Sequence, residues 1–92
     1  MLKFETTSKF RKDVKRVTKR GLDMSLMAAA VQILLEEKPL PPKYNDHELK
    51  GVYSGFRECH ILPDWLLIYQ VDKGALILTA TRTGSHSDLF AE

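Results

Sequence analysis

Residues 2–6, Leu2-Lys3-Phe4-Glu5-Thr6, alternate apolar and polar, the period-two pattern of a short strand. Thr7 or Ser8 comes next, and either side-chain oxygen can accept from an orphan amide at a helix start. Phe10, Val14 and Val17 then recur at i, i+4 and i+7, one stripe of an amphipathic helix. Gly21 suits the left-handed position just past that helix. Asp23 is placed to cap a second helix, with Leu26, Met27, Ala30, Val31, Leu34 and Leu35 as its broad apolar face. Pro39, Pro41 and Pro42 end it. Two antiparallel helices joined by a tight turn are the expected unit, and neither can bury its stripe without a sheet to pack on.

The second half has the pattern of strands. Gly51 and Gly55 punctuate it, and Phe56 to Ile61 is the first strand, with Pro63-Asp64 as the turn after it. Trp65 to Val71 is nearly all apolar, as in a central strand covered on both faces. Asp72-Lys73-Gly74 makes a hairpin turn, Ala75 to Arg82 is the next strand, and residues 83–92 form a tail. The predicted order is β-α-α-β-β-β. This is an α+β domain, a small, mostly antiparallel sheet with two helices packed on one face.

With 92 residues the chain is expected to be one domain spanning 1–92. No run of about 18 apolar residues exists, so no membrane helix is expected, and the N-terminus lacks the apolar core of a signal peptide. Cys59 is the single cysteine, which rules out an internal disulfide and fits a reducing compartment. Net charge is only +2, yet residues 9–20 hold seven of the fourteen basic side chains (Lys9, Arg11, Lys12, Lys15, Arg16, Lys19, Arg20) against one acid, Asp13. That imbalance suggests a polyanion or an acidic partner.

All three histidines, His47, His60 and His86, fall in the strand-rich half at element edges. Asp64 lies just beyond His60, and Arg82 lies four residues before His86. Consecutive hairpins would bring these groups to one edge of the sheet. Such a set fits metal-free cleavage of RNA by its own 2′-hydroxyl. That reaction needs a proton acceptor, a proton donor and a fixed cation on the phosphate. Histidine serves the first two near neutral pH and arginine the third. Phe90, Trp65 and Tyr53 are the aromatic rings available to stack a base, although Trp65 and Tyr69 also read as core. Cys59 reads as a small buried hydrophobe. The spacing of His47, His60, Asp64 and His86 matches no compact zinc motif, and neither a GxSxG elbow nor a glycine-rich phosphate loop is present. No metal and no cofactor is therefore expected.

Three stretches in order carry a resemblance: Asp46-His47-Glu48-Leu49-Lys50-Gly51, Arg57-Glu58-Cys59-His60-Ile61-Leu62-Pro63-Asp64-Trp65-Leu66-Leu67-Ile68-Tyr69, and Arg82-Thr83-Gly84-Ser85-His86-Ser87-Asp88-Leu89-Phe90. Together with Phe10-Arg11-Lys12-Asp13-Val14-Lys15-Arg16, they resemble the YafQ branch of the RelE/ParE toxin superfamily over nearly the whole chain. The resemblance implies a bacterial, cytoplasmic type II toxin that cleaves mRNA, typically on the translating ribosome, and is neutralised by a cognate antitoxin. It implies catalytic roles for His47, His60, Asp64 and His86 with Arg82 and Phe90 in support, and places Trp65 beside the site. Substrate contacts are expected from Trp65, Lys12, Lys15, Lys19 and Lys50, the basic helix meeting ribosomal RNA. Operator DNA would be bound only through the antitoxin complex. The superfamily also contains ParE-like gyrase inhibitors, so a non-catalytic gyrase binder is the alternative.

Overall fold

The computed structural model describes residues 1–90, so the last two positions of the expected tail lie outside the described residues. The elements follow the chain as β1 (Lys3–Thr6), α1 (Ser8–Lys19), α2 (Met24–Leu35), β2 (His47–Glu48), β3 (Arg57–Leu62), β4 (Trp65–Asp72), β5 (Ile77–Gly84) and α3 (His86–Phe90). Thr7 caps α1, its hydroxyl accepting from the Phe10 amide at 3.0 Å, and Asp23 caps α2 through the Ser25 amide at 2.9 Å.

Both helices close with the same double bond. The Gly21 amide reaches Thr18 O and the Leu22 amide reaches Val17 O, with Gly21 at φ 85°. At the end of α2, Glu37 adopts φ 58° and its amide donates to Leu34 O, while Lys38 donates to Ile33 O. This is the Schellman closure, in which a left-handed residue returns two amides to the last turn. The expected terminators of the helix are Pro39, Pro41 and Pro42. Glu37 ends it first, in a left-handed conformation that costs a side-chain-bearing residue about 1 kcal/mol.

The five strands form one sheet in the order β1-β5-β4-β3-β2. Every neighbour pair is antiparallel except β1 with β5, which the α1–α2 crossover makes parallel. The α+β architecture thus matches the expected one, with two additions. The polar loop at residue 47 contributes the two-residue strand β2, and the tail folds into the one-turn helix α3. The last strand also runs two residues later than expected, from Ile77 to Gly84, because Lys73 to Leu76 are needed for the turn.

Four consecutive residues of β4, Leu66 to Tyr69, are at most 2% exposed. Leu67 and Tyr69 face the helices with Cys59, Leu78, Ala80, Phe10, Val17, Met27 and Ala30. Leu66 and Ile68 face the other way, where Leu89 of α3 and the 49–56 segment, through Leu49, Tyr53 and Phe56, close over them. Burying each such side chain contributes roughly 1.5–3 kcal/mol. This second, smaller core lets a five-residue helix hold its place beside the sheet.

Candidate active site

The register of the sheet builds the site. His47 pairs with Glu58, Glu58 with Ile68 and Ile68 with Arg82, so these residues form one row across four strands and share a face. His60, two residues beyond Glu58, stands on the same face and pairs with Leu66, which pairs with Gly84. The chain then turns at Gly84 and delivers His86 at the start of α3. The ring centroids of His47 and His60 are 6.2 Å apart, and those of His60 and His86 5.8 Å. The three expected histidines therefore converge.

Each ring is oriented by a bond from one nitrogen. His47 Nδ1 lies 2.7 Å from Asn45 O, and His60 Nδ1 lies 3.2 Å from Pro63 O. A ring that donates Nδ1–H to a carbonyl presents a bare Nε2 when neutral. Both Nε2 atoms turn to the same carboxylate oxygen, Glu58 Oε1, at 3.5 and 3.4 Å. Glu58 is only 4% exposed and was not among the expected site residues. The period-two rule held the signal, since it puts Glu58 and His60 on one face of β3. A proton taken up by either ring then faces Glu58 at ion-pair distance, so the carboxylate can support the imidazolium.

His86 is organised differently. Its Nδ1 lies 2.6 Å from Asp64 Oδ1, and its backbone amide donates to the same oxygen at 2.9 Å. The amide bond, then the ring contact, hold the Asp64 carboxyl below its ordinary range. A carboxylate on Nδ1–H fixes the tautomer, supports the imidazolium and leaves Nε2 to act.

The helix that carries His86 is anchored from two sides. The Ser85 hydroxyl accepts from the Asp88 amide at 3.1 Å while Asp88 Oδ2 accepts from the Ser85 amide at 2.9 Å, a capping box. The same Asp88 carboxylate receives both ends of the Arg20 guanidinium, at 2.5 and 2.8 Å. These bonds, the Arg20 pair foremost, hold its carboxyl well below the usual range. The loop before His47 is fixed by Asp46, which accepts from the Tyr69 hydroxyl and from Arg57 Nη2 at 3.2 Å. Burial, followed by Asp46, pushes the Tyr69 phenol above its ordinary value, so it stays a donor.

Other expected residues divide. Arg82 is held by Asp13, Nε to Oδ2 at 2.7 Å and Nη2 to Oδ1 at 3.2 Å. It lines a recess with Lys9, Lys12 and Arg16, which joins the basic helix to the Arg82 end of the histidine face. Phe90 is half exposed and packs edge-to-face on Tyr53 at 5.8 Å. Trp65 requires a correction. It is 1% exposed and its indole N–H donates to Thr83 Oγ1 at 2.9 Å, so its ring is core and presents no face to a ligand. Lys50 lies away from the histidines, lining a cleft with Asp46, Glu48 and Arg57. Lys15 and Lys19 are exposed on α1. Cys59 is fully buried, and burial pushes its thiol up to about 12, which removes it as a nucleophile.

Glu58, His60 and His86 offer one ligand atom each within 4.8 Å of one another, a set that could hold a metal ion. Glu58 and His60 are two residues apart on β3, but only the fold brings His86 to them.

The structure thus combines a mixed sheet, a histidine–carboxylate face and a cationic helix alongside, and known proteins share this framework. The family profile described as bacterial toxin of type II toxin-antitoxin system, YafQ, matches residues 2–91, and the chain belongs to this family. It is 41% identical over 88 residues to the mRNA interferase toxin YafQ of Escherichia coli strain K12, covering 94% of this chain and 92% of that one. A metal-bound toxin from Helicobacter pylori superposes with a TM-score of 0.92 at 51% identity, covering 98% of this chain and all of that one. The Escherichia coli DinJ-YafQ complex gives 0.89 at 37% identity, over 98% of this chain and 99% of that one.

Proposed function

We propose that the protein is an endoribonuclease toxin, an mRNA interferase, that cuts RNA through attack of the 2′-hydroxyl on the adjacent phosphate. The observation that carries this reading is the pairing of two different proton-handling groups on one sheet face, Glu58–His47–His60 and Asp64–His86. The first group takes the proton of the 2′-hydroxyl as the O2′–P bond forms. His86 Nε2 gives a proton to the 5′-oxygen as the P–O5′ bond breaks. Products are a 2′,3′-cyclic phosphate and a 5′-hydroxyl. Arg82 neutralises charge on the phosphorane, where a guanidinium matches the geometry of two oxygens. Phe90 stacks on a base beside the scissile bond. The interferase name of the 41%-identical relative favours RNA cleavage over the gyrase-binding alternative.

The same reading supplies partners. A relative forms a complex with DinJ, which supports a cognate antitoxin here. α1 presents Lys12, Lys15 and Lys19 outward as a footprint for ribosomal RNA, so inhibition falls on translation in the bacterial cytoplasm. Operator DNA is bound through the antitoxin. Among the described residues no helix is long and apolar enough to cross a membrane. A related toxin has been crystallised with metal, and the Glu58, His60 and His86 set suits an ion here too. That ion would occupy the lone pairs that proton transfer needs, so it would inhibit.

The test is cleavage of a short RNA by the purified chain in EDTA, with the ends identified chemically. Full activity with cyclic-phosphate and 5′-hydroxyl ends is the expected result. Activity abolished by EDTA and restored by a divalent ion would overturn the mechanism.

A further inference from the structure

One charged group on the molecule is buried far more deeply than its neighbours in sequence suggest. Asp13 sits in the middle of the most basic segment of the chain, yet it is 2% exposed. It lies three residues after Phe10 and four before Val17, the two buried apolar positions of α1, so helical spacing carries it inward with them. A buried carboxylate is strongly unfavourable unless its lone pairs are filled. Here they are filled completely. Oδ2 accepts from Arg82 Nε at 2.7 Å and from the Thr83 amide at 3.1 Å, and Oδ1 accepts from Arg82 Nη2 at 3.2 Å and from Arg16 Nη2.

The pattern of these donors is specific. Two come from one guanidinium as a bidentate pair, which fixes its plane as well as its position. The third is the backbone of the next residue, so Asp13 holds both the side chain of Arg82 and the strand from which it projects. Thr83 is held in turn from the opposite direction, its hydroxyl donating to Leu66 O at 2.6 Å and accepting from Trp65 Nε1. The clamp engages Nε and Nη2, and Nη1 takes no part in it. A buried ion pair of this kind is a poor stabiliser compared with an apolar residue of similar size, so stability alone gives weak reason for an acid here. Pre-organising a cation for a developing phosphorane gives a strong one, because an arginine already immobilised loses little freedom when it meets its anion.

We infer that Asp13 is the positioning residue of the active site, aligning the Arg82 guanidinium for the phosphate of the cleaved bond. The inference rests on the role of Arg82 in the proposed reaction. Asp13 touches no substrate itself and acts through Arg82. Arg16 shares it and bridges toward Asp88 with Nη1 at 3.9 Å, so the two anchors of the β5–α3 corner are linked along α1.

The experiment is a double-mutant cycle read by single-turnover RNA cleavage, with folding verified by circular dichroism. Asp13→Asn should lower the cleavage rate about ten- to a hundred-fold, somewhat less than the loss of a full transition-state donor. In an Arg82→Ala background the same change should alter the rate by less than about twofold, since the group it acts through is gone. Added guanidinium should restore activity to Arg82→Ala and fail to restore it to the double variant. Equal losses from Asp13→Asn in both backgrounds, or none in the wild type, would overturn the inference. If Asp13→Asn does not fold, Arg82→Ala decides alone: rescue by planar guanidinium and not by methylammonium supports the clamp, and equal rescue by both, or by neither, removes it. A fully active Arg82→Ala would defeat the assignment of Arg82 and the inference together. An inactive Arg82→Ala beside a fully active Asp13→Asn would defeat the inference only.

Discussion

His86 and Asp64, twenty-two residues apart, meet through two bonds to one oxygen: ring Nδ1 and backbone amide both reach Asp64 Oδ1. The second bond fixes where α3 begins and the first fixes which nitrogen of the ring faces outward. The acid of the proposed reaction is therefore set by the turn that precedes β4.

Replacing His86 by Ala should lower the single-turnover rate by about 10²–10⁴-fold, the usual worth of a positioned proton donor, with little change in melting temperature because the ring is largely exposed. Asp64→Asn should lower the rate less, since an amide oxygen can still accept from Nδ1–H without stabilising the charged ring. If His86→Ala cleaves at the wild-type rate, another group is the acid.

The Arg20–Asp88 pair predicts a pH signature in stability. The folded Asp88 carboxyl titrates below its unfolded value of about 3.9, so its contribution is complete above that pH and is lost as pH falls toward the folded value. Asp88→Asn should cost roughly 1–3 kcal/mol at pH 7, as expected for hydrogen bonds to a charged group. The gap in unfolding free energy between wild type and variant should shrink below about pH 4 in urea titrations. A gap independent of pH would mean that the contacts, and not the charge, carry the effect.

Gly84→Ala tests the corner from the other side. Gly84 adopts φ 153°, and a Cβ there would lie 2.8 Å from Asp88 Oδ2 and 2.9 Å from Asp88 Cβ. The substitution should destabilise by about 1–3 kcal/mol and displace α3, lowering the cleavage rate as well as the melting temperature. Adding Asp88→Ala would remove the carboxylate half of the clash and leave the backbone strain, so it should restore little stability.

Trp65→Phe separates core from substrate contact. It removes the donor to Thr83 Oγ1 and leaves a small void, costing roughly 1–3 kcal/mol. Cleavage per folded molecule should be unchanged within about threefold. A loss of affinity for RNA without a loss of stability would show that Trp65 is a substrate contact after all.

Zinc or copper should inhibit the purified protein, and Glu58→Gln should weaken that inhibition by withdrawing one of three ligands. Isothermal titration of the metal into both proteins checks it. Identical binding would place the ion elsewhere.

Local rules were enough for most of the architecture. The Phe10-Val14-Val17 stripe, the Thr7 and Asp23 caps, Gly21 and the apolar run of β4 each depend on a residue and its near neighbours, so period and cap chemistry specify them without the rest of the fold. The three histidines, Asp64 and Arg82 could be named for the same reason: their side chains suit the chemistry wherever they stand. What they stand beside was set by register and packing. Glu58 became the common partner of His47 and His60 only because β2, β3 and β4 pair as they do. Asp13 stands in the sequence only as the lone acid of a basic segment, and its role comes from the packing of α1 against β5, where it meets Arg82. Trp65 was assigned to the site and lies in the core. A strand's pattern shows that two faces exist, but which one closes over a core and which one stays open depends on elements distant in the chain. The residue types were written in the sequence. Their proton partners, their tautomers and the plane of the arginine came from contacts between segments tens of residues apart, which only tertiary structure creates.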